Sequence, residues 1–117
     1  MKVLVDTCVI IDVLQDRKPF SGDAQKIFLL AAKNKITAYI TAKSIADIYY
    51  ITHRHTHNDK ETRDILKKLF LLFKVTDTSS DDCYNAISSK IKDYEDGIMS
   101  ETAKRIRSRI YNNKKYI

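Results

Sequence analysis

The sequence predicts an α/β fold, a central parallel β-sheet flanked by helices, on three observations. Val3-Leu4-Val5 is an unbroken apolar run, the pattern of a strand buried on both faces. The longer segments after it repeat apolar residues at helical spacing. Two glycines and one proline in 117 residues leave little turn chemistry for an all-β design. A single domain spanning 1–117 is expected at this length, and the 44% share of hydrophobic residues is enough to build a core.

Taken in order, residues 2–5 form the first strand, and it delivers Asp6 to the sheet edge. Val9, Ile10, Val13 and Leu14 recur at helical spacing, and the segment 16–20 with Pro19 stops that helix. Ser21 is a candidate cap for a second helix, whose apolar face is Ala24, Ile27, Phe28, Ala31 and Ala32. Residues 36–40, with Thr37 and Tyr39, read as the second strand, which completes a right-handed βαβ-like unit. A third helix over 42–52 carries Asp47. Asn58 with Glu61 forms a capping-box variant before a fourth helix with a broad stripe of Ile65, Leu66, Leu69, Phe70 and Phe73. Residues 73–76 suit a third strand. Ser79 or Ser80 then begins a fifth helix, and Asp93-Tyr94-Glu95-Asp96 opens the last, whose apolar side runs from Ile98 to Ile110.

Twenty-one Lys and Arg against fifteen Asp and Glu give a net charge of +6, which suits either polyanion binding or a surface that keeps the chain in solution. Lys104, Arg105, Arg107 and Arg109 line the outer side of the last helix and are the candidate cations for a nucleic-acid backbone. Cys8 and Cys83 do not make a disulfide framework, and no apolar signal segment precedes Asp6, so a reduced cytoplasmic setting is expected. The apolar stretch 69–75 is far too short to span a bilayer, so no membrane role is expected.

Four acids carry the chemistry. Asp6 follows a buried strand, the place where open α/β sheets bind ligands, although Asp is also a favoured helix cap. Asp47 lies among apolar neighbours on the third helix. Asp93 and Asp96, three apart, share a helix start where carboxylates also complement the dipole. Several carboxylates brought together would repel one another, and a hard divalent ion such as Mg²⁺ relieves that repulsion through oxygen ligands. Thr7 can orient a ligand or simply cap its helix. His53 and His57 have the spacing of helical zinc ligands, but no glutamate lies between them and the cysteines are distant, so a polar helix end is the reading taken.

These residues resemble the PIN-domain nucleases, including VapC-type toxins of bacterial toxin–antitoxin pairs. The resemblance is carried by the opening, residues 1–7 with 9–14, by Ile45-Ala46-Asp47-Ile48-Tyr49-Tyr50-Ile51, and by Asp93-Tyr94-Glu95-Asp96-Gly97 with Glu101-Thr102-Ala103. It implies a Rossmann-like sandwich and Mg²⁺- or Mn²⁺-dependent endoribonuclease activity. It further implies Asp6, Asp47 and Asp96 as catalytic metal-site acids with Asp93 as a further metal-site acid, homodimerisation, and a cognate antitoxin. Three features depart from the family pattern. Cys8 stands where asparagine is usual, Asp47 is a methylene shorter than the usual glutamate, and residues 107–117 contain no acid where the family places a further strand and aspartate. The last departure predicts a divergent basic tail, a missing late strand and an open side on the central strand. It also raises an alternative function, a weakened or inactive PIN domain that binds RNA or a protein partner. A receiver-like signalling domain is disfavoured, because no convincing strand-end lysine or second acidic strand end is present.

Overall fold

The chain alternates strands and helices from its first residues, and a computed structural model describes residues 1–112. The elements are β1 (Lys2–Val5), α1 (Thr7–Leu14), α2 (Ser21–Ala32), β2 (Thr37–Thr41), α3 (Ala42–Thr56), α4 (Asp59–Leu72), β3 (Lys74–Thr76), α5 (Ser80–Ile87), α6 (Tyr94–Ile106) and β4 (Arg109–Tyr111). All strand pairs are parallel, in the order β3-β2-β1-β4, with the six helices flanking the sheet. This is the expected α/β architecture.

Burial follows from the apolar pattern. Val3, Leu4 and Val5 are all buried, as a strand covered on both faces requires. In β2 only Ala38 and Ile40 are buried, in alternation. Val9, Ile10 and Ile11 of α1, Ile48 of α3 and Leu69 of α4 join this core with Phe73, whose ring meets Phe28 edge-on at 5.1 Å. Among the described residues, no helix is long and apolar enough to cross a membrane.

Local capping chemistry sets several boundaries. The Asn58 side chain accepts from the Glu61 N–H at the start of α4. Ser79 and Asp82 form a reciprocal capping box on α5. Ser21, by contrast, lies inside α2 as its first residue, following a Phe20 cap that makes no side-chain bond. Helix α3 runs on to Thr56, one turn beyond the expected end.

The side of β1 that the sequence left open is filled by β4, so the expected late gap in the sheet is corrected. α6 stops at Ile106 rather than continuing through Ile110, because Arg107 adopts a left-handed conformation (φ 57°) and the Ser108 N–H returns to the Ala103 carbonyl. That turn lays Arg109–Tyr111 alongside Val3–Val5. The expected tail therefore begins as a helix cap and a strand. Residues 113–117, including Tyr116, lie outside the described residues.

α5 and α6 are tied by an ion pair whose acidic partner is buried and whose basic partner is open to water. The Asp82 carboxylate is almost fully buried and faces Arg105 at 3.0 Å, and it lies 3.1 Å from the Thr102 hydroxyl. Arg105 also donates to the Asp77 carbonyl, so one guanidinium joins α6 to the loop before α5. Burial pushes the Asp82 carboxyl up, but hydrogen bonds from Arg105, Ser79 and Thr102 outweigh it and hold it below the usual carboxylate range. A depressed folded value stabilises the fold above the unfolded value, and this contribution is lost as pH falls through the folded one. Asp82→Asn is expected to cost about 1–3 kcal/mol in chemical denaturation at neutral pH, because the buried side chain loses its charge-assisted bonds to Arg105. The variant should also lose part of the acid sensitivity that the wild type shows below about pH 4.

Candidate active site

A cavity of about 390 Å³ opens at the carboxyl end of the sheet. β1 ends there in Asp6, β2 in Thr41, and the chain leaving β3 contributes Thr78. From β1 the chain builds β2 and β3 on one side and later β4 on the other, so Asp6 lies at the switch point of the topology, the usual ligand crevice of such sheets. The amino-terminal turns of α1, α3 and α6 also reach this cavity, through Thr7, Ser44 and Asp96. Three helix starts directed at one space favour an anionic ligand such as a phosphate.

Asp6 occupies the cap position of α1, yet its carboxylate makes no capping hydrogen bond and the residue lines the cavity. Its backbone N–H donates to the Tyr111 carbonyl at 3.1 Å, so β4 pins the turn that carries it. Asp47 and Asp96 line the same cavity from α3 and α6. The fold thus brings Asp6, Asp47 and Asp96 to one space from three separate elements. Asp93 is placed differently. It is exposed, its carboxylate accepts from the Asp96 N–H at 3.0 Å as the cap of α6, and it does not line the cavity.

Thr7 donates from its hydroxyl to Ser44 Oγ at 2.8 Å, and Ser44 Oγ also receives the Thr41 hydroxyl at 3.0 Å. The first turns of α1 and α3 are thereby fastened together behind Asp6 and Asp47. The candidate cations of the last helix are mostly engaged elsewhere. Lys104 pairs with Glu101 at 2.9 Å, Arg105 with Asp82, and Arg107 forms the cap of α6, while Arg109 is exposed on β4. None of the four lines the cavity.

The cations that do line it are Lys43 and Arg54, with the exposed ring of Tyr50 beside them. Both were missed, although spacing held the signal. Positions 43, 47, 50 and 54 repeat at i, i+4, i+7 and i+11, one stripe of α3 on which the expected ligand Asp47 already lay. Lys43 Nζ lies 3.1 Å from Asp47 Oδ2 and 3.5 Å from Glu95 Oε1. The Asp47 carboxylate holds this ammonium above its ordinary range despite partial burial.

Oxygen donors of this kind suit Mg²⁺ or Mn²⁺. Their present spacing does not. Among the described residues, no three His, Cys, Asp or Glu side chains are grouped to hold one ion, and Asp47 is engaged by Lys43. The histidines make no such group either. His53 stacks on Tyr49 with ring centroids 5.5 Å apart, and His57 is the left-handed cap of α3.

Comparison with known proteins places this geometry. A family model described as PIN domain matches residues 2–110. The fold is similar to that of VapBC2 from Rickettsia felis, in a crystal structure with a DNA fragment from its promoter (TM-score 0.69, 13% identity, covering 97% of this chain and 87% of that one). It is also similar to a toxin–antitoxin complex from Klebsiella pneumoniae (TM-score 0.64, 20% identity, 92% and 82% covered). A third similar structure is VapC20 from Mycobacterium tuberculosis, a toxin that cleaves the sarcin–ricin loop (TM-score 0.69, 11% identity, 95% and 90% covered). No curated protein matches the sequence.

Asp93 and Asp96 can be separated by substitution. Asp93→Ala is expected to lower stability by about 1 kcal/mol through loss of the α6 cap, and Asp93→Asn to restore most of it, since both Asp and Asn cap well. Equal melting temperatures for the wild type and Asp93→Ala would show that the cap contributes nothing.

Proposed function

The chain belongs to the PIN domain family, and from that premise we propose that it is a divalent-metal-dependent endoribonuclease of the VapC type, cleaving RNA phosphodiester bonds at the Asp6–Asp47–Asp96 cavity. One observation carries the reading: three carboxylates from β1, α3 and α6 line one cavity at the carboxyl end of the sheet. A bound Mg²⁺ or Mn²⁺ would supply Lewis-acid activation of water and would neutralise charge at the phosphate. Asp6, Asp47 and Asp96 carry the oxygen donors for it, although among the described residues they are not grouped closely enough to hold one ion.

The rest of the cavity suits the substrate. Arg54 reaches it from the α3 stripe and can take a backbone phosphate, with the three helix amino termini adding to the attraction. Tyr50, with 65% of its surface exposed, offers a ring on which an unpaired base can stack. These two residues line the cavity, whereas Lys104, Arg105, Arg107 and Arg109 do not. The proposal extends to partners, a second copy of the chain and a cognate antitoxin. The likeness to toxin–antitoxin complexes supports the antitoxin.

A second reading has its own observation. The Lys43–Asp47 pair and the lack of a three-ligand group among the described residues favour a weakened PIN domain that binds RNA or a partner without cutting. The two readings separate in one assay, cleavage of single-stranded RNA by the purified chain with Mg²⁺ or Mn²⁺. The nuclease reading expects metal-dependent products and a loss of about 10²-fold or more in Asp6→Asn and Asp96→Asn. No cleavage by the wild type, or equal cleavage by both variants, would sink it.

The RNA contacts give a separate prediction that needs no metal. Arg54→Ala should weaken RNA binding and reduce the slope of log affinity against log salt by about 1. Fluorescence anisotropy in EDTA reads both quantities, and an unchanged slope would remove Arg54 from the interface.

A further inference from the structure

We infer that Thr41, Ser44 and Thr7 form a hydroxyl chain that recognises the 2′-hydroxyl of a ribose, so that the cavity selects RNA over DNA. The inference rests on the RNA-cleaving reading above and supplies it with a group that recognises the sugar.

The protons of the chain can be counted. Ser44 Oγ lies 2.8 Å from the Thr7 hydroxyl and 3.0 Å from the Thr41 hydroxyl, and the Ser44 N–H donates to Thr41 Oγ1 at 3.1 Å. Three hydroxyls carry three protons, and each of the two links between them uses one. Whichever way the links point, one proton is left over, and among the described residues no other acceptor receives a bond from any of the three hydroxyls. All three side chains line the cavity, so the leftover donor belongs to it. Ser44 is buried (8% exposed) and Thr7 and Thr41 are half-buried, which holds that donor in place. A ligand that displaces solvent from such a donor without replacing its bond loses affinity.

The surroundings decide which acceptor fits. Thr7 follows Asp6 directly, and Ser44 stands three residues before Asp47 on α3, so the chain is flanked by two carboxylates of the same lining. With Glu95 and Asp96, the lining holds four acids against the two cations Lys43 and Arg54. A phosphate oxygen placed at the chain would meet like charge, which disfavours it. An alcohol oxygen accepts the leftover proton without adding charge, and its own proton has a carboxylate to go to, since a carboxylate offers about four acceptor positions. One donor beside carboxylate acceptors is thus complementary to a hydroxyl. On a nucleic acid the 2′-hydroxyl of ribose is that group, donor and acceptor at once, and it is what lets a protein tell RNA from DNA. The phosphates of the strand are left to Arg54 and the helix starts.

The test is fluorescence anisotropy of the full chain in EDTA with three single-stranded oligonucleotides of one sequence, namely RNA, its 2′-fluoro analogue and DNA. The 2′-fluoro sugar keeps the pucker of ribose and lacks the hydroxyl proton, and repulsion by the acids is common to all three. The wild type should bind RNA about threefold to tenfold tighter than either of the others, the size expected of one hydrogen bond. Ser44→Ala and Thr7→Val should close that gap to within about twofold by lowering RNA affinity alone, and Thr7→Ser, which retains the hydroxyl, should keep it. Equal binding of the three oligonucleotides by the wild type, or no binding of any of them, overturns the inference. A gap that survives both substitutions also overturns it. So does a loss of equal size on RNA and DNA, which marks a purely structural role for the hydroxyls. The nuclease reading fails separately, in the metal-dependent cleavage assay, whatever the ratio of affinities.

Discussion

Much of this fold hangs on β1 lying in the interior of a parallel sheet. Leu4 and Val5 are fully buried, and the strand pairs with β2 on one side and β4 on the other. A strand so enclosed cannot slide by one residue without drawing Lys2 or Asp6 into the buried run. Asp6, the next residue, is therefore delivered to a fixed point. Its N–H closes on Tyr111, so the strand that satisfies the far edge of β1 also fixes the turn bearing the acid. Core packing and site geometry are one constraint here.

The other two acids depend on helices anchored in different ways. α3 buries Ile48 and Thr52 against the core and turns its 43/47/50/54 stripe toward the cavity. The Thr7–Ser44–Thr41 hydroxyl chain holds its first turn to α1. α6 is held by Asp82, whose buried carboxylate receives Arg105, and by Thr102, which touches both that carboxylate and the cavity. The position of Asp96 thus follows from a polar knot between α6 and α5. Such knots tolerate little loss, because a buried charge without its partner is expensive.

Most elements could be read from the sequence because their causes are local. Asn58, Ser79 and Asp93 cap their helices through bonds to residues three positions on, and Val3-Leu4-Val5 announces a buried strand without any knowledge of its neighbours. The larger failures are non-local. β4 is three residues long, includes Arg109, and exists because β1 offers it a partner about a hundred residues earlier in the chain. Arg105 reads as a surface cation on a basic helix face, and only the folded chain shows Asp82 beneath it. Lys43 escaped notice because an acidic site directs attention to acids, and its second partner, Glu95, lies on another helix. Asp93 and Asp96 look equivalent three residues apart, yet one caps the helix and the other faces the cavity.

The charge balance of the cavity follows from these placements. Asp6, Asp47, Glu95 and Asp96 face Lys43 and Arg54, so the chain's own cations neutralise half of the acidic charge in the lining. Without those cations the acids of α3 and α6 would repel, though modestly, because Asp47 and Glu95 stand open to water. Lys43 acts against this as a tie between those helices. Its strength is modest, because both partners are open to water. That modesty leaves both side chains free to rearrange in water. A lysine locked in a buried pair would fix the two walls rigidly, whereas a solvated one ties them only loosely and leaves their placement to the core beneath.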